Sequence, residues 1–117
     1  MIDINQLYKI FKKCWSIESS SKWEEGNPWK GQCSVTALVV HDHFGGKILK
    51  TNIDGQWHFY NKINNQVFDL TSKQFSEQIN YQDIESTVEE ALFDTSQKQY
   101  KYLKGQFTKH YLETSPK

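Results

Sequence analysis

Two pairs of turn-forming residues, Asp54-Gly55 and Asn64-Asn65, stand ten positions apart and constrain the middle of the chain more than any other feature. Such pairs suit the positive φ angles of two-residue hairpin turns. They predict three antiparallel strands, over residues 47–53, 56–63 and 66–70. With Asn64-Asn65 as a two-residue turn, Tyr60 faces Asp69, and His58 becomes the diagonal neighbour of Asp69 on the same face. Diagonal side chains lie about 7–8 Å apart by Cα, within reach of an imidazole and a carboxylate. The opposite face carries Phe59, Phe68 and Leu70, which suits a core. A one-residue slip would separate the polar pair.

Helices flank this segment. Ile4, Leu7, Tyr8, Phe11, Cys14 and Trp15 recur at three- and four-residue spacings, predicting a first helix over 3–17 with Asp3 as its cap. Residues 19–32 read as an ordered loop, because Trp23 and Trp29 are too large for a floppy linker. A second helix starts near Cys33 or Ser34 and stops at Gly45-Gly46. Its middle, Val35 to Val40, is apolar all round, as a buried central helix requires. The β-branched residues leave a strand open there, and the glycine pair favours the helix. Thr71 can cap a short helical turn through Phe75. Residues 83–94 read as an exposed acidic loop or short helix. A last helix is expected over about 95–112, with Tyr100, Leu103, Phe107, Tyr111 and Leu112 as its apolar face. Gly105 costs it about 1 kcal/mol.

The 117 residues suit one domain. The expected fold class is α+β: a central helix packed on a small antiparallel sheet, with helices at both ends of the chain. Residues 1–113 form a single domain and 114–117 a frayed tail. No apolar run approaches the roughly 18 residues of a membrane span, and the N-terminus lacks a signal-peptide pattern. A cytoplasmic protein is expected, with free thiols rather than a disulfide. The formal net charge is zero, and all 14 basic residues are Lys. Without Arg, the usual bidentate reader of phosphate and guanine, nucleic-acid recognition is disfavoured. No cofactor is expected.

The densest chemical signal runs from Asn27 to Ala37. Cys33 follows Gly31-Gln32 at the start of the central helix. The unpaired N–H groups and dipole of a helix start stabilise negative charge. Thiols in such positions are more acidic than free ones, and the same N–H groups can hold an oxyanion. His58 is the best-placed base of the four His, and Asp69 would orient it, which completes a nucleophile–base–orienter set.

The order Cys33, His58, Asp69 on a helix followed by an antiparallel sheet resembles the papain-like superfamily of thiol enzymes over roughly residues 27–71. That resemblance implies Cys33 as nucleophile, His58 as base and Asp69 as orienter. Asn27 stands six residues before Cys33, where papain-like proteases place an oxyanion-hole Gln; it is one methylene shorter. Gln32 is the other amide candidate. Only 25 residues separate Cys33 from His58, a minimal core without a large protease cleft. A resemblance over most of the chain rests on Ser19 to Trp23, Asn27-Pro28, Gly31 to Val40, Asp42 to Gly46, Trp57 to Asn61 and Asp69 to Thr71. These strings are similar to the YunG-type family of small bacterial proteins. The resemblance implies a cytoplasmic bacterial protein and an undivided domain, and supplies no activity.

Plainer roles compete. Cys33 can be a small buried hydrophobe, His58 an inert sheet residue, and Asp69 a cap for the turn at Thr71. Cys14 lies on an apolar stripe and reads as core. His41, Asp42 and His43 suggest a metal, but residues 41 and 43 point about 200° apart on a helix; no metal is expected. Gly45-Gly46 is a helix stop rather than a phosphate loop. Trp23, Trp29 and Trp57 can line a cleft or fill a core. Lys98, Lys101, Lys104 and Lys109 read as a solvated face.

The sequence thus predicts a thiol hydrolase or acyl transferase acting on an amide, isopeptide or thioester bond of a protein, peptide or small acyl substrate. Asn27, Gln32, Trp29 and Trp57 would serve the oxyanion or substrate. The alternative is a non-catalytic protein-binding module using the acidic loop or a Trp-lined groove. An RNA-binding protein is a third class, recognisable by steep salt dependence.

Overall fold

The computed structural model describes residues 3–27, 29–72 and 78–114. Helix α1 spans Ile4–Cys14, and Asp3 caps it by accepting from the N–H groups of Asn5 and Gln6 at 2.9 and 3.3 Å. Leu7, Ile10, Phe11 and Cys14 form its buried stripe. The helix ends three residues before the predicted 17. Trp15 leaves it with extended backbone, φ −64° and ψ 133°, and its indole N–H donates to Thr36 Oγ1 at 2.8 Å.

Helix α2 spans Cys33–Phe44, and every residue from Cys33 to Val40 is buried. Gly45, at φ +74°, closes it. Gly46, at φ +76°, has a second reason to be glycine: a Cβ there would stand 2.3 Å from the Lys62 carbonyl oxygen. The chain therefore turns tightly into the sheet.

Strands β1 (Lys47–Ile53) and β2 (Gln56–Ile63) have the predicted bounds. Asp54, Gly55, Asn64 and Asn65 all have positive φ, so both hairpins use two-residue turns. Strand β3 (Gln66–Phe68) pairs Asn61 with Phe68 and Ile63 with Gln66, which is the predicted register. It stops before Leu70, the predicted end, so Asp69 leaves the ladder at the position that would face Tyr60.

The acidic stretch contains a strand that the sequence did not reveal. Strand β4 (Ile84–Glu85) pairs antiparallel with β1, giving the order β3-β2-β1-β4. Helix α3 (Val88–Phe93) follows, with Thr87 Oγ1 accepting from Glu90 N–H at 3.1 Å. Helix α4 spans Gln97–Thr114 without a break at Gly105. Leu103 and Phe107 are fully buried, whereas Leu112 is exposed rather than part of the apolar face. The turn predicted through Phe75 and tail residues 115–117 lie outside the described residues. Thr114 itself closes α4.

The fold is α+β. Helix α2 lies between two apolar clusters. One joins it to α1 and α4, with Phe11 and Phe107 stacked at 4.5 Å. The other contains Cys33, Ala37, Leu38, Ile48, Phe59 and Ala91, and so joins α2 to the sheet and α3. Asn61 Nδ2 donates to the Ala37 carbonyl at 3.0 Å, fixing β2 against the helix. Among the described residues no helix is long and apolar enough to cross a membrane.

Candidate active site

The loop before α2 delivers Cys33. Gly31 has φ +74°, and a Cβ there would meet Ser20 Oγ at 2.5 Å, so the loop closes only around a glycine. Gln32 is fully buried. Its Oε1 accepts from Ser19 Oγ at 2.8 Å and its Nε2 donates to the Ser16 carbonyl at 3.4 Å. Its side chain makes no capping bond to α2. The amide considered for an oxyanion instead ties the loop down behind the site.

Cys33 is 9% exposed and lines a cavity of about 690 Å³ together with Asn27, Trp57 and His58. His58 Nε2 lies 2.7 Å from Asp69 Oδ2, and both side chains are almost fully buried. Cys33 lines the same cavity as this imidazole and lies near enough to influence its charge. Three side chains distant in sequence therefore meet at the start of α2. Burial alone would lower the pKa of His58. The hydrogen bond to Asp69, the nearby Cys33 sulfur and the charges of both groups outweigh it and raise the pKa to about 9. The protonated form of the ring is thereby favoured.

Asp69 uses both oxygens. Oδ2 also accepts from Tyr81 Oη at 2.7 Å, while Oδ1 accepts from Thr71 N–H at 3.3 Å and Thr71 Oγ1 at 3.5 Å. The capping role and the His58 contact are therefore simultaneous. Tyr60 stacks on His58 with centroids 6.1 Å apart. Its hydroxyl donates to Asp83 Oδ1 at 2.5 Å and accepts from Asp83 N–H at 2.9 Å. Burial, then the neighbouring carboxylates, push both Tyr60 and Tyr81 well above the ordinary phenol range. Thr51, which pairs with His58 across the ladder, accepts from Gln82 N–H at 3.0 Å. Residues 80–83 are thereby strapped over the histidine end of the sheet.

Asn27 lies on the cavity wall, and its buried Oδ1 has no hydrogen-bond partner among the described residues. Trp57 also lines the cavity. Trp29 does not: its indole N–H donates to Tyr8 Oη at 2.7 Å, and with Trp23 it packs on the larger cluster. Cys14 is buried, as expected. His43 Nε2 meets Thr108 Oγ1 at 3.2 Å, and Asp42 accepts from Tyr100 and Lys104, so this stretch ties α2 to α4. Among the described residues no group of three His, Cys, Asp or Glu could hold a metal ion.

Sequence reasoning missed Tyr81, Asp83 and the cavity residue Phe93. Tyr81 and Asp83 lie on the chain leading into β4, whose two residues give no periodic signal, and Phe93 is placed by α3.

The structure defines a small α+β protein in which a helix-start cysteine meets a buried histidine–aspartate pair beside a cavity. The profile of the YunG protein family matches residues 3–112, and the chain belongs to that family. It is 55% identical over 101 residues to the "Uncharacterized protein YunG" of Bacillus subtilis (strain 168), covering 86% of this chain and 88% of that one. No solved structure matches it.

Proposed function

We propose that the protein is a thiol hydrolase or acyl transferase of papain-like type. The observation that carries this reading is the buried His58–Asp69 contact at 2.7 Å on an imidazole that shares the wall of one cavity with Cys33. Sγ, its proton held by His58, attacks the carbonyl carbon of an amide, isopeptide or thioester, and the carbonyl electrons move onto oxygen. The N–H groups at the start of α2, with Asn27, hold that oxyanion. As the tetrahedral species collapses, His58 gives its proton to the departing amine or thiol, leaving the acyl group on Sγ. Water, or an acceptor amine or thiol, then attacks this thioester. His58 takes the attacking group's proton, the acyl product leaves, and Sγ is freed with its proton again held by His58. Asp69 keeps the ring oriented throughout. The two free cysteines support a reducing compartment such as the cytosol.

Phenyl thioacetate provides the test. Mass spectrometry is expected to find the acetyl group on Cys33 with release of thiophenol, no acetyl in Cys33→Ser, and slow deacylation in His58→Ala. Acetyl on neither cysteine of the folded protein would leave only a binding module.

A further inference from the structure

Phe93 ends α3 and is 93% exposed, the most exposed large apolar side chain among the described residues. Trp57 is 42% exposed. Both line the cavity that holds Cys33, and Ile53 lines it too. Both rings border that cavity, whose wall also carries Lys22, Lys30, Glu90 and Asp94. Glu90 is three residues before Phe93 and so projects from a neighbouring position on α3. Its carboxylate pairs with Lys50 Nζ at 2.5 Å, and that ammonium lies 4.2 Å from the Trp57 ring centroid. Ser86 Oγ donates to the other Glu90 oxygen at 2.5 Å. Trp57 is therefore held by a bonded chain of side chains before anything binds, which reduces the ordering cost of contact. A cavity near 690 Å³ takes a group of a few tens of atoms rather than a folded protein.

We infer that Trp57, Phe93 and Ile53 form a subsite for a bulky, uncharged side chain, aromatic or large aliphatic, on the acyl part of the substrate. The inference rests on the thiol-enzyme reading. In that role Phe93 is left in water by the free protein and covered in the complex, which accounts for an exposed ring at the edge of a reactive cavity.

N-Acetyl aminoacyl chloromethyl ketones test it. Sγ displaces chloride to form a thioether, and the aminoacyl side chain occupies the acyl-side subsite. The phenylalanyl and leucyl ketones are expected to inactivate Cys33 at least about tenfold faster than the glycyl, aspartyl and lysyl ketones, a difference of about 1.4 kcal/mol. Phe93→Ser should shrink the phenylalanyl-to-glycyl rate ratio. That ratio cancels any change in the intrinsic reactivity of sulfur, and a side chain so exposed can be replaced without loss of the fold. Equal rates for all five ketones, or preference for a charged one, would overturn the subsite. Iodoacetamide, which carries no side chain, separates the two levels. Failure to label Cys33 ahead of Cys14 would sink the thiol-enzyme reading itself.

Discussion

Cys14 and Cys33 are both buried thiols at helix ends, and the difference between them shows how placement turns one residue type into two materials. Cys14 is the last residue of α1 and Cys33 the first of α2. A helix end presents carbonyl groups and partial negative charge, whereas a helix start presents N–H groups and partial positive charge. The Cys14 thiol donates to the Ile10 carbonyl at 3.2 Å, and burial pushes its pKa up to about 11, against a small opposing pull from Lys13. Cys33 lines a cavity whose wall also carries His58 of the buried His58–Asp69 pair. The first is packing; the second is the nucleophile of the proposed function.

The largest expected effect is a contrast in alkylation. With a pKa near 11, about one Cys14 in ten thousand is thiolate at pH 7, and the packing around it also blocks the reagent. Iodoacetamide followed by peptide mapping should modify Cys33 at least about 100-fold faster than Cys14, which should react only on unfolding. His58→Ala should bring the Cys33 rate at pH 7 down by about tenfold or more, because sulfur loses its proton acceptor. Equal labelling of both thiols in the folded state would erase the distinction.

A smaller effect separates the charged pair from the thiol. Folding raises the pKa of His58 from the ordinary imidazole value of 6.5 to about 9. A group whose pKa is raised by folding stabilises fully below its unfolded value, and that stabilisation is lost as pH rises through the folded value. Chemical denaturation of Cys33→Ala, in which no thiol titrates at the site, should therefore show stability falling between about pH 6.5 and 9, by about 1–3 kcal/mol. Removing the thiol lowers the upper end of that window. Asp69→Asn in the same background should flatten the slope. A stability that rises with pH there would mean that His58 is not held as a cation.

How much of this was legible before folding depended on locality. The Asp54-Gly55 and Asn64-Asn65 pairs fix the hairpins within a few residues of themselves, so the register that sets His58 diagonal to Asp69 could be read directly. The helix start at Cys33 was equally local, marked by Gly31 before it and Gly45 after. Gln32 misled because its neighbours at Ser16 and Ser19 are joined to it only by the loop. Trp29 misled in the same way, since its partner Tyr8 lies on α1. Tyr81 was invisible for a different reason: its position depends on two-residue β4 and on the Tyr60–Asp83 contact, neither of which leaves a pattern in the sequence.

Tyr81 gives the smallest effect and the sharpest check on how the pair is held. Its hydroxyl and His58 Nε2 share Asp69 Oδ2, each at 2.7 Å. A phenol donor withdraws charge from the carboxylate and weakens its hold on the imidazolium. In Tyr81→Phe that donor is lost, and Asp69 turns its full charge on His58. The His58 midpoint, followed by the ring resonances in NMR, should move up by about half a unit or less, because water replaces part of the lost bond at a residue 40% exposed. The cost in stability should stay near 1 kcal/mol. A role limited to packing against Tyr60, 4.9 Å away, would leave the midpoint where it is. A downward shift would show that Tyr81 orients Asp69 toward the ring rather than competing with it for the same oxygen.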